Sequence, residues 1–144
     1  MAVCGLDFGT SNSTLGIADR GGSRLLPLEG EATTLPSAMW FDMVGSAPLF
    51  GRSAIESYVD RLDGRLMRSI KSMLGTSLIE EDTWIGRERI GFRQVIAIFL
   101  AEMRARAEAA CGHALDQVVH GRPVHFVDDD AAGNRAAPRR ARSV

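Results

Sequence analysis

Two short apolar runs near the N-terminus flank a turn that holds no bulky side chain, and this pattern constrains the fold more than any other feature. Val3, Leu6 and Phe8 precede the turn; Leu15, Ile17 and Ala18 follow it; Gly9-Thr10-Ser11-Asn12-Ser13-Thr14 lies between. Apolar runs separated by small polar residues read as strand, tight turn, strand. Residues 2–8 and 13–19 are therefore expected to pair antiparallel. The turn offers backbone N–H groups, hydroxyls and an amide, which can fold around an anionic oxygen. Gly9 lets the backbone approach closely, because no Cβ intervenes. Asp7 ends the first strand, where a carboxylate can hold a hydrated divalent cation that neutralises phosphate charge. Placed between Leu6 and Phe8, Asp7 is expected to point inward and to need a partner. The bland alternative is a hairpin whose polar turn faces water. The spacing is neither that of a P-loop nor G-x-G-x-x-G.

Composition bounds the rest. With 45% apolar and 24% charged residues in 144, the chain is an ordinary globular sequence sized for one modest domain. A net charge of −1 gives no strong attraction to nucleic acid or to an anionic membrane. No run reaches the roughly 18 to 20 apolar residues of a membrane span. No targeting segment is evident, so a cytoplasmic location is expected. Cys4 and Cys111 lack metal-ligand spacing and read as reduced, mostly buried thiols. Lys71 is the only lysine among seventeen basic residues.

Along the chain, Asp19-Arg20-Gly21-Gly22 forms a second hairpin turn, and Ser23–Leu28 a third strand ended by Pro27. The chain thus opens as a three-stranded antiparallel meander. A short strand is expected at Ala38–Phe41, and Leu49-Phe50-Gly51 leads into a helix over Ser53–Val59, with Ala54, Ile55, Tyr58 and Val59 on its buried face. The spacing of Leu62, Leu66, Met67, Ile70 and Leu74 predicts a second helix, stopped by Gly75. Residues 77–91 read as an exposed loop or short hairpin, whose acidic run Glu80-Glu81-Asp82 is a solvated surface rather than a cation site.

The strongest helical signal is Phe92 to Cys111, where Phe92, Val95, Ile96, Phe99, Met103 and Ala107 form one stripe. Glu102 and Arg106 pair on the opposite face, and Gly112 stops the helix. A strand over Gln117–Phe126 follows, limited by Gly121 and Pro123, with Val118–Val119 expected to join the sheet in parallel. His120 and His125 read as structural or surface residues, not ligands. Asp128-Asp129-Asp130 suggests a helix start. Pro138 breaks that helix at a cost of about 3 kcal/mol, leaving residues 131–144 as a frayed basic tail.

Four segments in this order resemble the DnaK-like heat-shock chaperones, in particular the short YegD-type branch of the actin-like ATPase superfamily. Gly5-Leu6-Asp7-Phe8-Gly9-Thr10-Ser11-Asn12-Ser13 resembles the family's first phosphate loop. Thr34-Leu35-Pro36-Ser37-Ala38 resembles the segment leading into its small peripheral lobe, Ile70-Lys71-Ser72-Met73-Leu74-Gly75 the helix carrying its catalytic lysine, and Val119–Val124 a hinge-region strand.

The resemblance implies an α/β fold: the ribonuclease-H-like half of an actin-type ATPase domain over residues 1–130, with a small lobe inserted at about 35–90. It implies ATP and Mg2+ as ligands. Gly9, Thr10, Ser11 and Asn12 would hold the phosphates, Asp7 would organise the metal-bound water, and Lys71 would orient the γ-phosphate. Its implied function is chaperone-type ATP hydrolysis, with unfolded client proteins as partners. Similarity fades after about Asn134, which reads as a truncation or frame change, so little or no hydrolysis is expected from a half-cleft. Two rivals remain: a fragment of a sugar or acid kinase of the same superfamily, and a non-catalytic interaction fragment that associates, with itself or a partner, through an exposed sheet edge or cleft face.

Overall fold

The computed structural model describes residues 3–121. The expectations for Val124, His125, the Asp128 helix start and the basic tail lie outside the described residues. Within them the chain is mixed α/β, with three sheets and two α-helices.

The N-terminal meander forms as its sequence dictates. Strands β1 (Val3–Phe8) and β2 (Asn12–Asp19) pair antiparallel, with Cys4 opposite Ile17, Leu6 opposite Leu15 and Phe8 opposite Ser13. The Asp19–Gly22 turn leads to β3 (Gly22–Leu25), which is shorter than expected. Leu26 still donates its N–H to Leu15 at 2.8 Å, but Pro27 has no donor to continue the ladder. Leu26 and Leu28 then turn fully into the core.

After a loop come β4 (Leu35–Pro36), which pairs with the start of β2, and β5 (Ala38–Asp42). A β6 (Leu49–Phe50) pairs with β5 and runs directly into α1 (Gly51–Val59). The buried face of α1 differs from the expected one. Gly51, Ala54 and Ser57 are buried, whereas Tyr58 and Val59 are exposed. Small residues let the helix lie close on β5, where Ala54 packs with Ala38 and Trp40. Ser57 satisfies its hydroxyl by donating to the Ser53 carbonyl at 3.0 Å.

The helix expected over residues 62–74 is absent. Instead β7 (Gly64–Arg68) pairs antiparallel with β5, setting Met67 against Met39 and Leu66 against Trp40. Only a 3-10 turn, Ile70–Met73, follows, reached through Ser69 in the left-handed region at φ 53°. The helical spacing competes with a glycine inside the segment, which costs a helix about 1 kcal/mol, and with a free edge on β5 that needs backbone partners. Arg65 reinforces the strand by donating to the Thr83 hydroxyl and the Trp84 carbonyl.

A second 3-10 turn (Ser77–Glu80) leads to the hairpin β8 (Asp82–Ile85) and β9 (Glu88–Gly91), as the loop-or-hairpin reading allowed. Helix α2 (Phe92–Cys111) has the predicted bounds and stripe, with Val95, Ile96, Phe99, Met103 and Ala107 buried. Gly112 caps it at φ 78°, a conformation that favours glycine, and donates to the Glu108 carbonyl at 2.9 Å. Arg106 pairs with Glu102 at 2.7 Å as expected, and also donates to the Leu28 carbonyl at 3.0 Å.

Finally β10 (Gln117–His120) pairs parallel with β1, placing Val118 beside Cys4 and Val119 beside Gly5, to give the sheet order β10-β1-β2-β3. Parallel strands need a crossover, and the elements from β2 to α2 supply it. One face of this sheet, carrying Cys4, Phe8, Leu15 and Ile17, meets α2; the Phe8 and Phe99 rings are 5.8 Å apart and the Phe50 and Phe99 rings 6.5 Å. Among the described residues no helix is long and apolar enough to cross a membrane.

Candidate functional site

Strand alternation decides where Asp7 goes. Cys4 and Phe8 face α2, so Val3, Gly5 and Asp7 occupy the opposite face. That face has no layer over it among the described residues. Asp7 is therefore exposed rather than turned inward: the apolar neighbours that suggested burial lie one position away, on the other side of the pleat. It sits opposite Thr14, and both line an open groove of about 560 Å³. Gly5, Gly16, Leu25 and Val119 form the apolar floor and flanks of that groove. Asp7 has no hydrogen-bond or ion-pair partner among the described residues, and its solvent exposure removes the need for one.

The polar turn closes the same end of the sheet. Phe8 pairs with Ser13, and residues 9–11 form the bend between the strands. Thr10, Ser11 and Asn12 are exposed and Gly9 is half-buried. Segment 34–38, which the sequence placed only as the approach to a peripheral lobe, lies directly against this turn. Pro36 sits opposite Asn12 and Leu35 opposite Ser13. Ser37 then donates its N–H to the Ser11 carbonyl at 2.9 Å and its hydroxyl to the Gly9 carbonyl at 2.7 Å. The Ser13 and Ser37 hydroxyls are 2.8 Å apart and almost wholly buried.

Three of the four motif segments thus meet in space: the first pairs with the second through β4 and with the start of the fourth through β10. Sequence reasoning missed Ser37 as a support of the turn. Its signal was a small hydroxyl directly after a proline, a common enough pattern to pass unnoticed. Ser13, at the end of the motif, is buried and serves the interior.

Lys71 occupies a different setting from the helix expected. It lies in the 3-10 turn that Ile70 anchors in the core, and it is half-buried. Its side chain makes no hydrogen bond or ion pair among the described residues, and Lys71 is not one of the groove-lining residues. The structure therefore places Asp7, Thr14 and the Gly9–Asn12 turn along one hairpin; the turn, like Lys71, is not among the groove-lining residues.

Among the described residues no group of three or more His, Cys, Asp or Glu side chains converges on one point. His120 is exposed, with its Nδ1 3.1 Å from the Leu6 carbonyl. No family model matches the sequence.

Proposed function

We propose that the chain binds the phosphate groups of a nucleotide, ATP with Mg2+, at the β1–β2 turn, and that it forms one wall of an actin-like, chaperone-type ATPase cleft. The observation that carries this reading is the turn itself. Its Gly9 and Ser11 carbonyls are held inward by Ser37, and no backbone partner among the described residues takes the Thr10 or Ser11 N–H. A turn with inward-held carbonyls and N–H groups that no backbone acceptor takes suits an anionic oxygen. Asp7 and Thr14 supply a carboxylate and a hydroxyl beside it.

A bound magnesium ion would neutralise phosphate charge. Asp7 would hold its water shell, and the turn would orient the phosphate oxygens. The apolar groove continues from Asp7 along the sheet, and its volume is within the range of small-molecule sites. Lys71 would complete the site by orienting the γ-phosphate. The described residues provide one wall, so binding is proposed to exceed hydrolysis, which depends on positioning from both sides.

The test is isothermal titration of Mg-ATP into the chain, its Asp7→Ala variant and its Lys71→Ala variant. Saturable binding that weakens in Asp7→Ala supports the reading; a folded chain that takes up no Mg-ATP ends it. A second reading rests on the uncovered sheet face, where Leu25 on β3 is 53% and Val119 on the edge strand β10 is 61% exposed. Such a surface invites association. Oligomerisation that rises with concentration, in a chain without nucleotide affinity, would favour it.

A further inference from the structure

We infer that Ser37 is the positioning residue of the phosphate turn, setting the direction of the N–H groups that would meet the ligand; the inference rests on the phosphate reading above. Ser37 has one hydroxyl hydrogen, and geometry commits it to the Gly9 carbonyl, which has no hydrogen to give back. The 2.8 Å contact with Ser13 must then run the other way, with the Ser13 hydroxyl donating to Ser37 Oγ. A directed chain results, from Ser13 to Ser37 to Gly9, while the Ser37 N–H separately holds the Ser11 carbonyl. Ser13 is 0% and Ser37 2% exposed, so water does not compete for the bond between their hydroxyls.

The consequence follows from the planarity of the peptide group. In a trans peptide the C=O of one residue and the N–H of the next point in opposite directions. Turning the Gly9 carbonyl towards Ser37 turns the Thr10 N–H away from it. Turning the Ser11 carbonyl towards Ser37 does the same to the Asn12 N–H. One buried serine therefore orients two peptide units of the turn without touching the ligand. An anion site gains from donors fixed before binding, because no ordering cost is then left to meet.

The experiment compares the full-length chain with Ser37→Ala, Ser37→Thr and Ser13→Ala, using amide NMR titrations with Mg-ATP and Mg-tripolyphosphate. Amide signals of α2 report whether each variant keeps its fold. Expected are shifts at the Thr10 and Asn12 amides of the wild type, and affinity for both probes lowered on the order of tenfold in Ser37→Ala. Ser37→Thr, which keeps the hydroxyl, should restore most of the affinity. Ser13→Ala should fall between, since it removes only the outer member of the chain.

Ligand-free Thr10 and Asn12 amide signals should move in Ser37→Ala and return in Ser37→Thr. This local rescue would not accompany general loosening. Wild-type shifts that persist with equal affinity in a folded Ser37→Ala overturn the role of Ser37 and leave the phosphate reading standing. Absence of any probe-induced shift in the wild type overturns the phosphate reading, and this inference with it. Should Ser37→Ala not fold, Ser13→Ala and Ser37→Thr carry the test: affinity unchanged in Ser13→Ala, or Ser37→Thr as weak as a variant lacking the hydroxyl, overturns the inference.

Discussion

The carboxylate of Glu108 accepts the backbone N–H of Leu115 at 2.9 Å while Arg104 donates to the same oxygen at 2.8 Å. The last turn of α2 is thereby tied to the segment that delivers β10 to β1. The Leu115 N–H, and after it the Arg104 guanidinium, hold the Glu108 carboxyl below the usual range for glutamate. A lowered folded pKa adds stability above the unfolded value, near 4.3, and that stability is lost as pH falls through the folded value. Asp42, held low first by the Ser46 side chain and then by backbone N–H groups, and Glu80, held low by Arg93, act in the same acid window. The Glu108 share is isolated by Glu108→Gln, which keeps an acceptor for Leu115 but cannot ionise. Denaturant midpoints from about pH 7 down to pH 3 should fall less steeply in the variant. Parallel curves would remove Glu108 from the acid response.

Phe99 lies between Phe8 on the sheet and Phe50 at the start of α1, and it is fully buried. Truncation leaves a cavity that three separate elements would have to close. Phe99→Ala should cost about 3–5 kcal/mol, a large share of the roughly 5–15 kcal/mol that holds a domain of ordinary stability. Phe99→Leu, closer in volume, should cost under about 1.5 kcal/mol. Urea denaturation followed by the far-ultraviolet helix signal measures both. A Phe99→Ala loss below about 1 kcal/mol would mean that this core is not shared between the two layers as described.

Elements whose pattern depends on themselves alone were legible in the sequence. The α2 stripe predicts its bounds because five buried residues recur at helical steps over twenty positions and Gly112 stops them. The β1–β2 hairpin was legible because its turn residues and alternating apolar positions agree. The parallel placement of Val118 and Val119 also follows from the sequence, as a strand after a long helix returns to the sheet. Residues 62–74 misled because Leu62, Leu66, Ile70 and Leu74 satisfy a helical period, while the edge of β5 that claims Leu66 and Met67 lies more than twenty residues away. No local pattern encodes that partner. The site divided in the same way. The turn and Asp7 were visible as a motif, whereas the Ser37 support, 28 residues from Gly9, exists only through the pairing of β4 with β2.

The two thiols should react at different rates. Cys4 is 1% exposed on the covered face of β1, and burial pushes its thiol above the ordinary range. Cys111 is half-buried near the end of α2, where its thiol reaches the His113 carbonyl at 3.2 Å. Thiolate is the reacting form, so both burial and a raised pKa hold Cys4 back. A disulfide reagent should consume one equivalent quickly and the second at least about tenfold more slowly, through opening of the fold. Cys111→Ser should remove the fast phase. Two equally fast equivalents in the wild type would show that β1 is not held against α2 in solution.

The backbone carbonyl of Asn12 occupies the space that a Cβ on Gly9 would need, whereas a Cβ on Gly5 meets nothing within 4 Å. Gly5 lies within β1 and Gly9 directly after its end, four residues on, and the two make a matched pair. Gly9→Ala must push the Asn12 carbonyl away and so open the turn. It is expected to destabilise the chain by about 2 kcal/mol and to weaken Mg-ATP binding more than any other single change in the turn. Gly5→Ala places its methyl group in the open groove and relieves the strand of a flexible residue, so stability should hold or rise by up to about 1 kcal/mol. Denaturant curves give the stability arm and titration with Mg-ATP the binding arm. Equal stability losses for the two variants would show that the close approach of residues 9 and 12 does not persist in solution. If Gly9→Ala alone loses stability but both variants bind Mg-ATP as the wild type does, the turn is a structural hairpin and the phosphate site lies elsewhere.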